Sequence, residues 1–286
     1  MTSPLQEPAS AGKIAFIGGG NMARSLIGGL IGRGTAPGDI RVVAPSQSTR
    51  DALERDFGVA TFASAIDAVQ GAPVWMFAVK PQVMPGVCRE LADAAQAARP
   101  LAVSVAAGIT SGQMERWLGG DVAVVRAMPN TPSMLGAGVT GLYANDRVDA
   151  AGRRRADAVL ATAGPTVWIE DESLMDAVTA ASGSAPAYVF LLAEAMQDAA
   201  VAQGLPADAA RTLVLQTILG AARMLTESGE SASELRRRVT SPGGTTHAAI
   251  TAFEEGGFRE LVARAMSLAA ARGRELAAAN DQPTAS

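Results

Sequence analysis

The chain is poor in the residues that build metal centres and disulfides. Its 286 residues include one cysteine, Cys88, and one histidine, His247. A lone cysteine excludes an intrachain disulfide and a cysteine zinc cluster. A lone histidine excludes a His-rich metal site and any Ser-His-Asp triad built elsewhere, so no metal is expected. Lysine is also scarce: Lys13 and Lys80 stand against 22 arginines, which makes Lys80 conspicuous. No apolar stretch reaches roughly 18 residues without Gly, Pro or charge, so no membrane span is expected. The first ten residues carry no apolar run, so no secretory signal is expected there, and a cytoplasmic location is the expectation. A formal charge of −4 and a pI near 5.2 argue against nucleic acid as a partner. The triplets Arg153–Arg155 and Arg236–Arg238 fall in helical patterns and read as solvated faces.

What is present is a change of pattern along the chain. Hydrophobic residues make up 48 %, enough for a substantial core in one large or two ordinary domains. Residues 1–11 and 280–286 read as loose tails. From Lys13 to about Glu170, short apolar runs alternate with helical patterns. The strand candidates are Lys13–Ile17, Ile40–Ala44, Val74–Val79, Leu101–Ala106 and Val122–Ala127. Several are nearly continuous apolar runs, as a parallel sheet covered on both faces requires. Alternation of this kind builds βαβ units. Gly138–Ala144 and Thr166–Glu170 extend the sheet around a helix near Val148–Thr162. After Glu172 only helical patterns remain: Ser173–Ala181, Pro186–Gln203, Ala207–Glu227, Ser231–Val239, Thr245–Glu255 and Phe258–Ala279. The expected architecture is an α/β, Rossmann-like, doubly wound and mostly parallel sheet over residues 12–170, followed by an all-α domain over 171–280.

Gly18-Gly19-Gly20-Asn21-Met22-Ala23 is a Gly-x-Gly-x-x-Ala run at the first strand-to-helix turn, where it becomes a specific signal for a dinucleotide. Gly18 permits the tight turn, Gly20 lets the backbone approach a pyrophosphate, and Ala23 lets the helix pack against the strand. The helix start then presents N–H groups and a positive dipole end to phosphate. An NAD site usually carries an acid after the second strand to hold the ribose 2′-hydroxyl. None follows Ala44 here, and Asp39 lies at the strand's wrong end. Ser46 and Ser48 offer hydroxyls and Arg50 a cation for a 2′-phosphate, which favours NADPH, with NADH as the alternative; a plain turn and helix cap is the competing reading of this segment.

Ligands bind beyond the carboxyl ends of strands in open α/β sheets. Lys80-Pro81, Ala107-Gly108 and Met128-Pro129-Asn130-Thr131-Pro132 all sit at such ends. In the helical half, Ser241-Pro242-Gly243-Gly244-Thr245-Thr246 opens a helix with bare N–H groups and two hydroxyls, a receptor for a small carboxylate. An ordinary glycine loop with a threonine cap fits those residues equally well. His247 follows, and an isolated helical histidine is more often packed or solvated than catalytic. The residues alone leave open a 3-hydroxyacid dehydrogenase, another imine reductase, or a dinucleotide-sensing binding protein. The dehydrogenases typically need a catalytic Lys or His in the helical domain; this half has no lysine and only His247.

Taken in order, these segments resemble the pyrroline-5-carboxylate reductases over about Lys13 to Leu276. The resemblance is carried by Ile17–Ala23, Ala78–Pro81, Ala106–Gly108, Arg126–Pro132, Ser182–Tyr188 and Val239–Thr246. It implies NAD(P)H-dependent reduction of 1-pyrroline-5-carboxylate to L-proline. It also implies a helical dimerisation domain, a homodimer assembling to a decamer, and an active site completed across the dimer. By the same resemblance Gly18, Gly19, Gly20, Asn21 and Met22 hold pyrophosphate, Ile17 beside them binds the cofactor, and Ser46 lies by the 2′-phosphate. Ala78, Val79, Lys80, Pro81, Ala106, Ala107, Gly108 and Asn130 line the cofactor. Ser241, Gly243, Gly244, Thr245 and Thr246 hold substrate, with Thr246 bonding the ring nitrogen, and Glu172 matches a proline-contact position. Three departures stand out: Ser64-Ala65 replace an Asn that touches the cofactor in some members, Gly229 replaces a Glu with Glu230 one residue along, and His247 falls where an apolar residue is common.

Overall fold

A computed structural model describes residues 12–280. The tails expected at 1–11 and 281–286 lie outside the described residues, while Asn280 is the last residue of a helix. The chain divides into two compact units: 12–184 together with 269–280, and 185–268.

The first unit is an eight-stranded sheet with its helices. Its elements are β1 Ile14–Ile17, α1 Asn21–Gly32, β2 Ile40–Val43, α2 Gln47–Phe57, β3 Ala60–Phe62, α3 Ala65–Val69, β4 Val74–Phe77, α4 Met84–Glu90, α5 Ala92–Ala98, β5 Leu101–Ser104, α6 Ser111–Trp117, β6 Ala123–Met128, β7 Thr140–Ala144, α7 Ala150–Leu160, β8 Thr166–Trp168 and α8 Met175–Val178. The spatial order is β3-β2-β1-β4-β5-β6-β7-β8. All neighbours pair in parallel except β6 with β7, which are antiparallel. The chain therefore moves outward from β1 through β2 and β3, then returns to the other side of β1 with β4. That reversal is the switch point where doubly wound sheets bind ligands.

The continuous apolar runs follow from burial on both faces. Along β1, Ile14 and Phe16 face one layer with Leu26, Ile27 and Leu30 of α1 and Val159 and Leu160 of α7. Ala15 and Ile17 face the other, with Trp75, Phe77, Met84, Cys88 and Met114. Cys88 is fully buried, and burial pushes its thiol up to about 12. A thiolate is the reactive species, so this thiol is inert in the fold. A water-soluble disulfide reagent is expected to label no thiol in the native protein at pH 8 and one after denaturation. Labelling of native protein at the rate of a free thiol would contradict this packing.

β3 was not among the expected strands. It is a three-residue edge strand whose residues are half-buried or exposed, so it carries no apolar run. The expected helix Ser173–Ala181 resolves into a 3-10 turn at Glu172–Leu174, the single turn α8, and a π-helical turn at Thr179–Gly183.

The second unit is helical: α9 Ala185–Ala202, α10 Ala207–Glu227, α11 Ala232–Arg238 and α12 Thr245–Glu255. α13, Phe258–Asn280, contributes its first part to this unit and its last part, from Ala269, to the sheet unit. Ser231 and Glu234 form a capping box at the start of α11. Many large apolar side chains of this unit are exposed, Phe190, Leu191 and Leu268 among them. Among the described residues no helix is long and apolar enough to cross a membrane.

Candidate active site

The glycine loop joins β1 to α1 at the switch point and is tied to both neighbouring strands. Gly18 N–H donates to the Val43 carbonyl at 3.0 Å, and Ala78 N–H donates to the Ile17 carbonyl at 2.8 Å. Gly18 has φ +109°, and a Cβ there would lie 2.6 Å from the Ala78 carbonyl oxygen. Gly20 is the N-cap of α1 and supplies no side-chain cap, and there is no acidic residue in the first turn. The first N–H groups of a helix have no intrahelical acceptor, so here they are left to an anion. A Cβ built on Gly20 meets nothing within 4 Å. Open space before bare N–H groups is what a pyrophosphate requires, and the residues present fit a dinucleotide.

At the end of β2, Ser46 is the N-cap of α2, again without a side-chain cap, and its hydroxyl lies 2.7 Å from that of Ser48. Both are exposed. The Arg50 guanidinium is folded onto its own loop. It donates to the carbonyls of Ala44 at 2.6 Å and Pro45 at 2.8 Å, and to the Gln47 side chain. Ala78 and Val79 are half-buried at the end of β4, and exposed Lys80 caps the 3-10 turn that begins at Pro81. At the end of β5, Ala106 and Gly108 are buried and Ala107 half-buried.

Asn130 follows β6, and its amide is engaged at both ends. Oδ1 accepts the Val139 N–H at 3.0 Å and Nδ2 donates to the Ser182 carbonyl at 3.3 Å. It thus braces the π-helical turn, a feature that often marks functional sites. Ser64 fills a cap position, its hydroxyl accepting the Asp67 N–H.

Glu172 is likewise engaged within the sheet unit. Oε1 accepts the Ser111 N–H at 2.7 Å, Oε2 accepts the Ser111 hydroxyl at 2.6 Å, and Arg126 lies 3.4 Å from Oε1. Arg126 is 5 % exposed and also donates to Asp176 at 3.1 Å. Sequence reasoning missed this network. Its visible signal was Arg126 itself, a charge inside an otherwise apolar strand, which demands a buried partner.

In the helical unit, Gly243 has φ +72° and turns the chain into α12. Gly244 is the N-cap, with no side-chain cap and no acidic residue in the first turn. Thr245 and Thr246 are exposed at the helix start, as is His247. α12 therefore presents bare N–H groups beside two hydroxyls. Among the described residues no group of three or more His, Cys, Asp or Glu is placed to hold a metal ion.

Comparison with known proteins gives one consistent answer. Residues 172–276 match the family described as pyrroline-5-carboxylate reductase dimerisation, and residues 13–108 match that described as NADP oxidoreductase, coenzyme F420-dependent. The chain is 48 % identical over 268 residues to the pyrroline-5-carboxylate reductase of Pseudomonas aeruginosa, which spans 94 % of this chain and 98 % of that one. The solved pyrroline-5-carboxylate reductase of Coxiella burnetii is similar at a TM-score of 0.89 and 43 % identity, covering 93 % of this chain and 98 % of its own. A Plasmodium falciparum pyrroline carboxylate reductase, solved with NADP bound, is similar at 0.82 and 26 % identity, covering 94 % and 99 %. With close to half its residues shared over nearly its full length, the chain belongs to the pyrroline-5-carboxylate reductase family.

Proposed function

We propose that this chain reduces the cyclic imine 1-pyrroline-5-carboxylate to L-proline with NADPH, or less effectively NADH, as the closing step of proline biosynthesis. The observation that carries the substrate reading is the uncapped start of α12 at Ser241–Thr246. It suits a small carboxylate, and a protein that only sensed a dinucleotide would have no need of it.

When bound, NADPH would supply the hydride needed at C5 of the ring. The chain's own residues do the rest. Gly18 to Met22, beside Ile17, would hold pyrophosphate, and Ser46 and Arg50 would receive the 2′-phosphate. Ala78 to Pro81, Ala106 to Gly108 and Asn130 shape the crevice. Ser241 and Gly243 to Thr246 take the carboxylate through backbone N–H groups. The Thr246 hydroxyl bonds the ring nitrogen and fixes the imine face. Holding two rings in a near-attack arrangement accounts for much of the rate. The nitrogen takes its proton from free solution or a bound water rather than from Thr246, because a threonine hydroxyl is poorly matched to proton transfer near pH 7. Glu172, matched to a proline-contact position, contacts the substrate on this reading, with its carboxylate held by Ser111 and Arg126. Residues 12–170 serve as the dinucleotide-binding domain and 171–280 as the substrate-binding and dimerisation domain. The family match over 172–276 supports a homodimer, and five such dimers form a decamer on this reading, in the cytoplasm.

The test is NADPH oxidation followed by absorbance, with pyrroline-5-carboxylate and then with 3-oxoacids. Turnover is expected on the imine alone. Tight NADPH binding without imine turnover would defeat the proposal. Thr246→Ala is expected to lower kcat/KM by about 1–3 kcal/mol of transition-state stabilisation, the scale of one lost buried hydrogen bond. Unchanged kinetics in that variant would remove Thr246 from the mechanism.

A further inference from the structure

The loop after β5, which carries Ala106–Gly108, is held by residues from the far end of the chain. Gly108 has φ +70° and turns the chain toward α6. Its carbonyl accepts the Asn280 side-chain amide at 3.2 Å. A Cβ at Gly108 would lie 3.0 Å from the Leu276 Cβ, so α13 rests directly on the loop backbone. Gln113, 3 % exposed, joins the two pieces. Its Oε1 accepts the Thr110 N–H at 2.9 Å, completing the capping box of α6, and its Nε2 donates to the Ala277 carbonyl at 2.8 Å. That carbonyl is among the last four of α13, which have no intrahelical donor. On the opposite flank, Glu172 holds Ser111 by both oxygens.

We propose that the last turn of α13, Leu276–Asn280, is a clasp that fixes the crevice loop Ala106–Gly108, with Gln113 and Asn280 as positioning residues for NAD(P)H binding. The inference rests on the reading that Ala106–Gly108 line the cofactor crevice. Connecting loops are the mobile parts of a domain, and a binding constellation must be held to about 0.5 Å to function. The loop itself is Ala106-Ala107-Gly108, with no large side chain of its own, so its placement comes from what it is tied to.

The experiment uses the full-length protein. Gln113→Leu removes both amide bonds at similar size, Gln113→Glu keeps the acceptor for Thr110 and removes the donor to Ala277, and Asn280→Ala removes the bond to Gly108 alone. KM and Kd for NADPH are expected to rise about tenfold in Gln113→Leu and about threefold in the other two, the scale of one or two lost hydrogen bonds. The kcat at saturating NADPH should stay within about twofold. Wild-type protein that fails to bind NADPH would defeat the dinucleotide reading itself. Wild-type binding together with unchanged Kd in the variants, or a lowered melting temperature with unchanged KM, would overturn the clasp. Asn280→Ala alters only the helix end, so it decides the matter if Gln113→Leu does not fold.

Discussion

Arg126→Ala is expected to lower the free energy of unfolding by about 3–5 kcal/mol, the cost of breaking a buried ion pair by removing one partner. Arg126 sits near the end of β6, and its side chain is 6 % exposed. It is shared by Asp176, 10 % exposed in its side chain, and Glu172, 23 % exposed. Alanine leaves the Asp176 carboxylate buried beside a cavity with no cation near it. Glu172 retains Ser111, so its loss is smaller. The mechanism predicts its own rescue: Arg126→Met combined with Asp176→Leu removes both charges and should recover at least half the loss, because well-packed apolar replacements of buried pairs are often neutral. Urea denaturation of the three proteins at one fixed concentration measures this. A double variant no more stable than Arg126→Ala would mean that packing, not the uncompensated charge, sets the cost.

The second large effect is expected at the glycine loop. Gly18→Ala forces an alanine to φ +109° and drives its Cβ to 2.6 Å from the Ala78 carbonyl oxygen. Strain of this kind costs about 1–3 kcal/mol, and a forced close contact adds a similar amount. Backbone atoms cannot yield easily, because Gly18 is bonded to Val43 and Ala78 to Ile17. The loop must move instead, carrying the start of α1 with it, so both the melting temperature and NADPH affinity should fall. Gly20→Ala is the contrasting variant. Its φ is −76° and its Cβ would enter open space, so it should fold as wild type yet bind NADPH far more weakly. Undiminished NADPH affinity in Gly20→Ala would refute the assignment of that space to pyrophosphate.

The sheet was legible because its strands are buried on both faces and so read as unbroken apolar runs. The same signal overshot strand ends. Ala44, Ala78, Val79, Val105 and Ala106 stay small or apolar after the ladder stops at Val43, Phe77 and Ser104. These residues still pack against the cores past the end of the ladder, so the apolar signal runs on beyond it. The helical half was read closely, with α10 and α12 matching the expected bounds, because Pro206 and Gly243-Gly244 punctuate it. The conformation of the glycine loop was legible because the positive φ and the close backbone approach at Gly18 admit only glycine. The Arg126, Asp176 and Glu172 network was not, because its members are 46 and 50 residues apart and a single sequence does not display such pairs. Gln113 was half-visible: Thr110 three residues before it is a capping-box signal, but its second bond reaches Ala277, 164 residues on.

The sheet unit is assembled from two stretches of chain, with residues 185–268 between them. During synthesis, which runs N-terminus first, the eight strands are all available long before α13 is made. At typical elongation rates the intervening segment takes on the order of ten seconds. A nascent chain can therefore bury its apolar core while the end of β5 still lacks its last support. Only when α13 emerges are Leu276, Ala277 and Asn280 in hand to close that edge. Whatever affinity depends on that clasp is therefore reached only after residues 276–280 have been made, long after the last strand.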